Sequence, residues 1–329
     1  MSFSSDIRGH VKQLATLKQA LEQNRLHHAY VFIGPEGVGK KTLALSLAKS
    51  VHCLEMERDF CGRCASCVGI ENQNYPDVRL VGPLRGKKDI SIEQVRALEK
   101  ELNYRAFTSR KKIAIIDPAP LMNFSAQSAL LKTLEEPPAG SVLIMISTSS
   151  GGLLSTLLSR CLRLSFAPLP SSAVVDYLIS RKGLKPEQAE LLAAISMGSL
   201  GKALDSDLEE LAQEREAWVE GVAALTQDDR MGWTILADDL SQDRERALKF
   251  LDWLAGWYRD ILIYLATENR QEICNRDLID GLKTQAAGST LEQILFLRSR
   301  VLLTAARIRR NVNRRLALEN LFANIAELH

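Results

Sequence analysis

The sequence predicts an α/β domain built on a parallel sheet, followed by a region that is entirely helical. Up to Phe166, short apolar runs alternate with helical patterns, and a glycine-rich loop follows the first of these runs. After Pro168 and Pro170 no strand pattern appears. Alternating strand and helix patterns are typical of a parallel sheet whose strands are joined by crossover helices.

The composition fits an ordinary globular protein of two or three domains, with 329 residues of which 46% are hydrophobic and 25% charged. The net charge of +2 is too small to identify nucleic acid as a direct partner. No apolar run approaches the roughly 18 residues of a membrane-spanning helix. Because residues 1–10 also lack the pattern of a secretory signal, we expect a cytoplasmic protein with no membrane partner.

Short apolar segments bounded by charged residues, glycine or proline are the predicted strands of the sheet. They cover residues 30–33, 78–81, 113–116, 142–146 and 163–166. One connecting helix is predicted to begin at Ser91, because Ser91 and Gln94 fit a capping box and an apolar stripe follows them.

Helical patterns continue to the end of the chain after Pro170. Residues 171–203 predict a small group of helices with breaks at 182–183 and near 198–199. Longer amphipathic stretches over 245–266 and 291–312 predict a further, all-helical domain. The predicted domains are therefore 1–167, 168–206 and 207–329.

The glycine-rich loop reads Gly34-Pro35-Glu36-Gly37-Val38-Gly39-Lys40-Lys41-Thr42 and leads into a helix predicted over 43–50. Such a loop binds phosphate through backbone N–H groups and the helix N-terminus, while Lys40 would reach the β and γ phosphates. A tight glycine turn without a ligand is the alternative. The candidate nucleotide-binding residues are Gly34, Gly37, Val38, Gly39, Lys40, Lys41, Thr42 and Asp117.

Two departures from the motif argue against ATP hydrolysis by this chain. Lys41 stands where a Ser or Thr should bind Mg²⁺, and Thr42 comes one residue late, turned by about 100° on a helix. Asp117 ends the strand 113–116 and is either the acid on the magnesium side or a cap of the next turn. Pro118 follows and cannot act as a general base. Binding of ATP or ADP without hydrolysis stays open.

Four cysteines lie close together in the sequence, with the spacing C-x7-C-x2-C-x2-C. They are Cys53, Cys61, Cys64 and Cys67. Four thiolates close a tetrahedral zinc site and leave no position for a reactive water, so this spacing predicts a structural metal. A redox pair or unliganded core cysteines are the alternatives.

Two more motifs complete the pattern, Leu134-Glu135-Glu136-Pro137-Pro138 and Ser159-Arg160-Cys161. With the four cysteines and the altered phosphate loop, they resemble the delta′ subunits of the bacterial DNA polymerase III clamp loader. The resemblance is weaker over 198–204 and 311–322. It implies an AAA+ P-loop domain with a zinc-binding insertion, a small helical lid domain and an all-α C-terminal collar domain.

The resemblance also implies that Arg160 is a trans-acting arginine finger, which reaches ATP held by the adjacent motor subunit. A planar, permanently charged guanidinium suits the charge on a transferring phosphate. Without the motif, an arginine paired with a local carboxylate would be preferred. Gly201 stands where the motor subunits have a phosphate-sensing arginine, and residues 147–149 keep only polar character at the first sensor. No intrinsic ATPase is therefore expected.

The expected function is support of ATP-driven loading of the sliding clamp on primed DNA. The expected partners are the gamma or tau and delta subunits, with the clamp and primer-template DNA contacted through the complex. Two alternatives stay open, namely an ATP-hydrolysing motor of the gamma or tau kind, and a zinc-dependent DNA-binding module suggested by the cysteines and scattered arginines.

Overall fold

The computed structural model describes residues 9–108, 110–205, 208–267, 273, 275 and 278–328. The chain forms two compact units, Met1–Val174 with Gly198–Lys202 and Val175–Met197 with Ala203–His329. The predicted boundary between residues 206 and 207 lies outside the described residues. The division into three domains therefore stays a prediction.

A five-stranded parallel sheet forms the centre of the first unit. Its strands are β1 (Ala29–Ile33), β2 (Val78–Val81), β3 (Lys112–Ile116), β4 (Ser141–Ser147) and β5 (Leu162–Ser165). They are ordered β2-β3-β4-β1-β5, and every neighbouring pair is parallel. Each strand overlaps its predicted segment, so the prediction of a parallel α/β sheet is confirmed.

Helices pack on both faces of this sheet. They are α1 (Val11–Glu22), α2 (Lys40–His52), α3 (Ala65–Glu71), α4 (Ile92–Asn103), α5 (Phe124–Glu135) and α6 (Ser155–Leu158). Side chains alternate along β1, so that Tyr30 and Phe32 enter one apolar cluster while Val31 enters the other. The predicted capping box at Ser91 is confirmed, because the Ser91 N–H donates to Gln94 Oε1 over 3.1 Å at the start of α4.

The carboxyl ends of three adjacent strands define the edge where the candidate site lies. Ile33 at the end of β1 is level with Ser147 at the end of β4, and Ile116 at the end of β3 is level with Met145. Parallel sheets commonly bind ligands in the crevice outside this edge. The phosphate loop and Asp117 follow β1 and β3 directly and therefore start from the same edge.

Three short helices follow the sheet in sequence, α7 (Ser171–Lys182), α8 (Pro186–Ile195) and α9 (Leu200–Asp205). Gly183 and Gly198 lie between them with φ of 66° and 78°, values that a residue with a side chain seldom adopts. Both predicted breaks are confirmed.

The described part of the second unit is helical, and its main core lies among its C-terminal helices. They are α10 (Leu208–Ala223), α11 (Arg230–Ser241), α12 (Arg244–Ala266), α13 (Ile279–Ala287), α14 (Leu291–Arg309) and α15 (Arg314–Ala326). Trp218, Trp253 and Trp257 are buried in one apolar cluster with Phe250 and Phe322. Of the helices described, none has the length and apolar character that crossing a membrane requires.

Candidate functional site

The phosphate loop has a backbone that only glycine accommodates easily. Gly37 and Gly39 have φ of 74° and 100°, in the left-handed region. A Cβ added to Gly34 would lie 2.3 Å from the carbonyl oxygen of Phe166. Helix α2 begins at Lys40, so the predicted sequence of strand, glycine turn and helix is confirmed.

The Lys40 side chain folds back over this loop and is 6% exposed. Its Nζ donates to the carbonyl oxygen of Gly34 over 2.6 Å and also to that of Pro35. Burial lowers the pKa of Lys40, and the carboxylates of Asp117 and Glu36 oppose that effect. The ammonium thus lies within the turn where a phosphate would be held.

Lys41 and Asp117 approach each other across the carboxyl edge of the sheet. Lys41 Nζ lies 3.9 Å from Asp117 Oδ2. Burial raises the pKa of Asp117, while Lys41 and Lys40 act to lower it. Within the loop Val38 is buried, whereas Thr42 is exposed. The structure therefore places a lysine, and not a hydroxyl, beside the strand-end acid.

Two contacts to the loop come from residues that the sequence analysis did not select as candidates. His10 Nε2 donates to the carbonyl oxygen of Val38 over 2.8 Å. The Gly201 N–H donates to the carbonyl oxygen of Gly37 over 2.9 Å. A Cβ on Gly37 would also lie 2.2 Å from Ser199 Oγ. These residues are far from the loop in sequence. The family resemblance places Gly201 at a phosphate-sensing position, but no spacing pattern links His10 or Ser199 to the loop.

Arg160 follows α6, and its guanidinium is held by groups of its own unit, including a long contact of 3.4 Å to Ser159 Oγ. Its Nη2 lies 2.7 Å from Glu135 Oε1, and its Nη1 donates to the carbonyl oxygen of Thr156 over 2.8 Å. The Arg160 side chain is 35% exposed and that of Glu135 54% exposed. The structure therefore shows the local ion pair and joins the motif at 134–138 to the motif at 159–161, while leaving part of the guanidinium accessible.

The four candidate metal ligands come together at the end of α2 and around α3. The sulfur atoms of Cys53, Cys61, Cys64 and Cys67 all lie within 4.8 Å of one another. Zinc bound at about 2.3 Å in tetrahedral geometry requires sulfur atoms about 3.8 Å apart. The separation of 4.0 Å between the Cys53 and Cys64 sulfurs is close to that value. The donor set fits a tetrahedral metal ion.

The surroundings of Cys64 favour a thiolate, whereas the pKa values of Cys61 and Cys67 are raised, that of Cys67 chiefly by burial. Burial raises the pKa of Cys64, but hydrogen bonds from the backbone of Leu54 and Cys67 outweigh it and lower that pKa to about 6. Arg110 fixes the start of the cysteine-bearing segment, since its Nη1 donates to the carbonyl oxygens of Cys53 and Val51 over 2.8 and 2.9 Å. Thiolates are the ligands that zinc prefers in closed structural sites.

Comparison with known proteins decides the family. Residues 9–170 match the family model described as "DNA polymerase III, delta subunit", and residues 209–327 match the model of that subunit's C-terminal part. DNA polymerase III subunit delta′ of Bacillus subtilis is 33% identical over 94% of this chain and 94% of its own length. The chain belongs to the delta′ family. The delta′ subunit of Pseudomonas aeruginosa is 31% identical over 92% of each chain.

The delta′ family shares part of its length with another group of DNA polymerase III subunits. The tau subunit of Bacillus subtilis is 32% identical over 60% of this chain, but that match covers 36% of tau. The match to the delta′ proteins, in contrast, spans nearly the full length of both chains. The family resemblance predicted from the motifs is therefore confirmed.

Proposed function

We propose that this delta′ family member works in the clamp loader, where it supports ATP-driven loading of the sliding clamp on primed DNA. It would assemble with the gamma or tau and delta subunits, and would meet the clamp and primer-template DNA through that complex. One observation supports this role most strongly. The candidate nucleotide site has Lys41 beside Asp117 in place of a hydroxyl, while Arg160 stays partly accessible on the same unit.

In this proposal the first unit contains an AAA+ P-loop domain whose nucleotide site does not hydrolyse ATP. Lys41 provides no oxygen ligand for Mg²⁺, and Pro118 provides no general base after Asp117. The loop and Lys40 would still suit phosphate, because the glycine conformations and the helix start are present. ATP or ADP would then be bound as a structural element.

Arg160 would contribute its charge to the site of a neighbouring motor subunit. The exposed ion pair with Glu135 is of a kind that contributes about 1 kcal/mol or less. A phosphate group can therefore compete with Glu135 for the guanidinium at little cost. Before the guanidinium meets that phosphate, Glu135 and the Thr156 carbonyl would keep the arginine in one orientation.

The cysteine cluster would hold a structural zinc ion in the insertion after α2. Cys53, Cys61, Cys64 and Cys67 are the ligands, and the bound ion would cross-link the loop to α3. The lid and collar domains, residues 168–206 and 207–329, would complete the subunit. The collar is the part proposed to join the ring of subunits.

The test of this function is reconstitution from purified subunits. Complexes of the delta and motor subunits are prepared with and without this chain, and clamp loading on primed circular DNA is measured. We expect loading only when the chain is present. Equal loading without it would contradict the proposal.

Steady-state ATPase of the isolated chain separates the proposed role from that of a motor. We expect no turnover above background. Turnover that Lys40→Ala abolishes would instead favour an ATP-hydrolysing subunit. DNA binding by the lone chain that falls when zinc is chelated would favour the DNA-binding module.

A further inference from the structure

Lys41 stands where P-loop proteins normally have a hydroxyl residue that binds a metal ion. It is the second residue of α2, and its ammonium lies 3.9 Å from Asp117 Oδ2. In P-loop proteins, a hydroxyl at this point of the helix and an acid at the end of the neighbouring strand hold Mg²⁺ between them. Here the acid is retained, and the cation beside it belongs to the protein.

The charges around Asp117 leave a second cation little advantage. Lys41 and Lys40 both stabilise the Asp117 carboxylate, and the nearby Glu36 carboxylate opposes them less strongly. A magnesium ion beside that carboxylate would lie close to the Lys41 ammonium and be repelled by it. Mg²⁺ also requires oxygen ligands in nearly octahedral geometry. The nearest hydroxyl in sequence belongs to Thr42, which is one residue after Lys41 and is exposed.

The same charges suit a bare polyphosphate. Lys40 lies inside the turn, and Lys41 lies beyond it at the carboxyl edge of the sheet. Two ammonium groups and the backbone N–H groups of the loop provide what phosphate oxygens need. The usual role of the metal, which is to neutralise phosphate charge, can thus be carried out by Lys41.

We infer that the loop binds nucleoside di- or triphosphate without a divalent metal ion, with the Lys41 ammonium in place of Mg²⁺. The inference rests on the nucleotide site proposed above and not on the clamp-loading role. Reconstituted loading and nucleotide binding can therefore fail separately. Metal-free binding would also give the glycine-rich loop and Lys40 a role in a chain that lacks the residues needed for ATP hydrolysis.

The test is equilibrium binding of fluorescent ADP to the full chain, once with Mg²⁺ and once with EDTA. We expect affinities that agree within about threefold, since the loop offers no ligand set for the metal. Binding that requires Mg²⁺ would overturn the inference. So would the absence of binding in both buffers by chain shown to be folded by circular dichroism.

Three variants extend this test. Lys41→Thr supplies a hydroxyl and removes the ammonium, so we expect metal-free affinity to fall by about tenfold or more, and Mg²⁺ to restore part of it. Lys41→Arg keeps the charge and should keep binding independent of metal. Lys18→Thr, at an exposed position of α1, removes one charge elsewhere and should leave binding unchanged. A Lys41→Thr chain that binds as well as wild type in EDTA would contradict the role given to Lys41.

Discussion

Arg160 shows how one side chain can satisfy both a local contact and a proposed function in a neighbouring subunit. Its guanidinium donates to Glu135 and to the Thr156 carbonyl, and about a third of the side chain remains exposed. Neither contact is buried. The arginine is therefore oriented without being committed to the stability of its own unit.

Replacing Arg160 should consequently cost little stability. For Arg160→Ala we expect the free energy of unfolding to change by less than about 1 kcal/mol, as is typical of exposed ion pairs. Urea denaturation measures this. Arg79→Ala, which breaks the exposed pair of Arg79 with Glu101, is the matched control. A loss of more than about 2 kcal/mol for Arg160→Ala alone would assign the residue a structural role.

Gly37 has a different constraint, because both its backbone angle and its surroundings exclude a side chain. For Gly37→Ala we expect a loss of roughly 1 to 3 kcal/mol, from the positive φ and from the contact with Ser199 Oγ. Gly86→Ala is the control, since Gly86 has φ of 80° but nothing within 4 Å of an added Cβ. Equal losses for the two variants would show that the Ser199 segment does not press on the loop.

Among the elements, the cysteine-bearing insertion depends most on something other than its own apolar core. The helix α3 has seven residues, fewer than an isolated helix needs to be stable in water. Three of the four cysteines are buried, and Cys61 is half-buried. A bound metal ion would thus fix a segment that local propensity does not.

Cys64→Ser should therefore remove the metal and loosen this insertion. Metal analysis of chain purified without chelators should give about one equivalent of zinc for wild type and less than about half for the variant. Limited proteolysis should then show new cleavage between α2 and α3. Cys161→Ser, outside the cluster, should keep the metal. Wild-type chain with less than about half an equivalent would contradict the four-thiolate site.

The sequence predicted elements more completely than contacts. Capping at Ser91 and the glycine breaks at Gly183 and Gly198 are local signals, and each coincides with an observed helix boundary. The close spacing of the cysteines also constrained them to one short segment. The pairing of Arg160 with Glu135 and the contact of Gly201 with Gly37 arise only when distant segments meet. The periodicity of apolar residues and the spacing of motifs do not predict such contacts between segments that are distant in sequence.

At the scale of the whole molecule, the second unit has a core of its own. Among the residues that the structure describes, the buried members of the apolar cluster that includes Trp257 all lie between residues 218 and 326. The long helices α12 and α14 contribute to this cluster and form the most extensive contact between two elements in the described part of the chain. A core complete within one continuous segment indicates that the segment can fold without the rest of the chain.

A fragment of residues 208–329 should accordingly fold as a helical domain. We expect a helical circular dichroism spectrum and a cooperative urea transition, because the fragment retains every buried member of the cluster. Phe250→Ala should lower the midpoint of that transition, since Phe250 is fully buried in the cluster. A fragment with no cooperative transition would show that this core needs the first unit.

The central claim is that the chain gives its neighbour an arginine and hydrolyses no ATP itself. The most direct measurement is DNA- and clamp-stimulated ATPase of the reconstituted complex with wild type, Arg160→Ala or Lys40→Ala. An arginine finger is worth on the order of a thousandfold at the site it serves. With Arg160→Ala we therefore expect the stimulated ATPase rate to fall by the part that the adjoining motor site contributes. With Lys40→Ala we expect no change in this rate. An unchanged rate with Arg160→Ala, or an equal loss with Lys40→Ala, would contradict the claim.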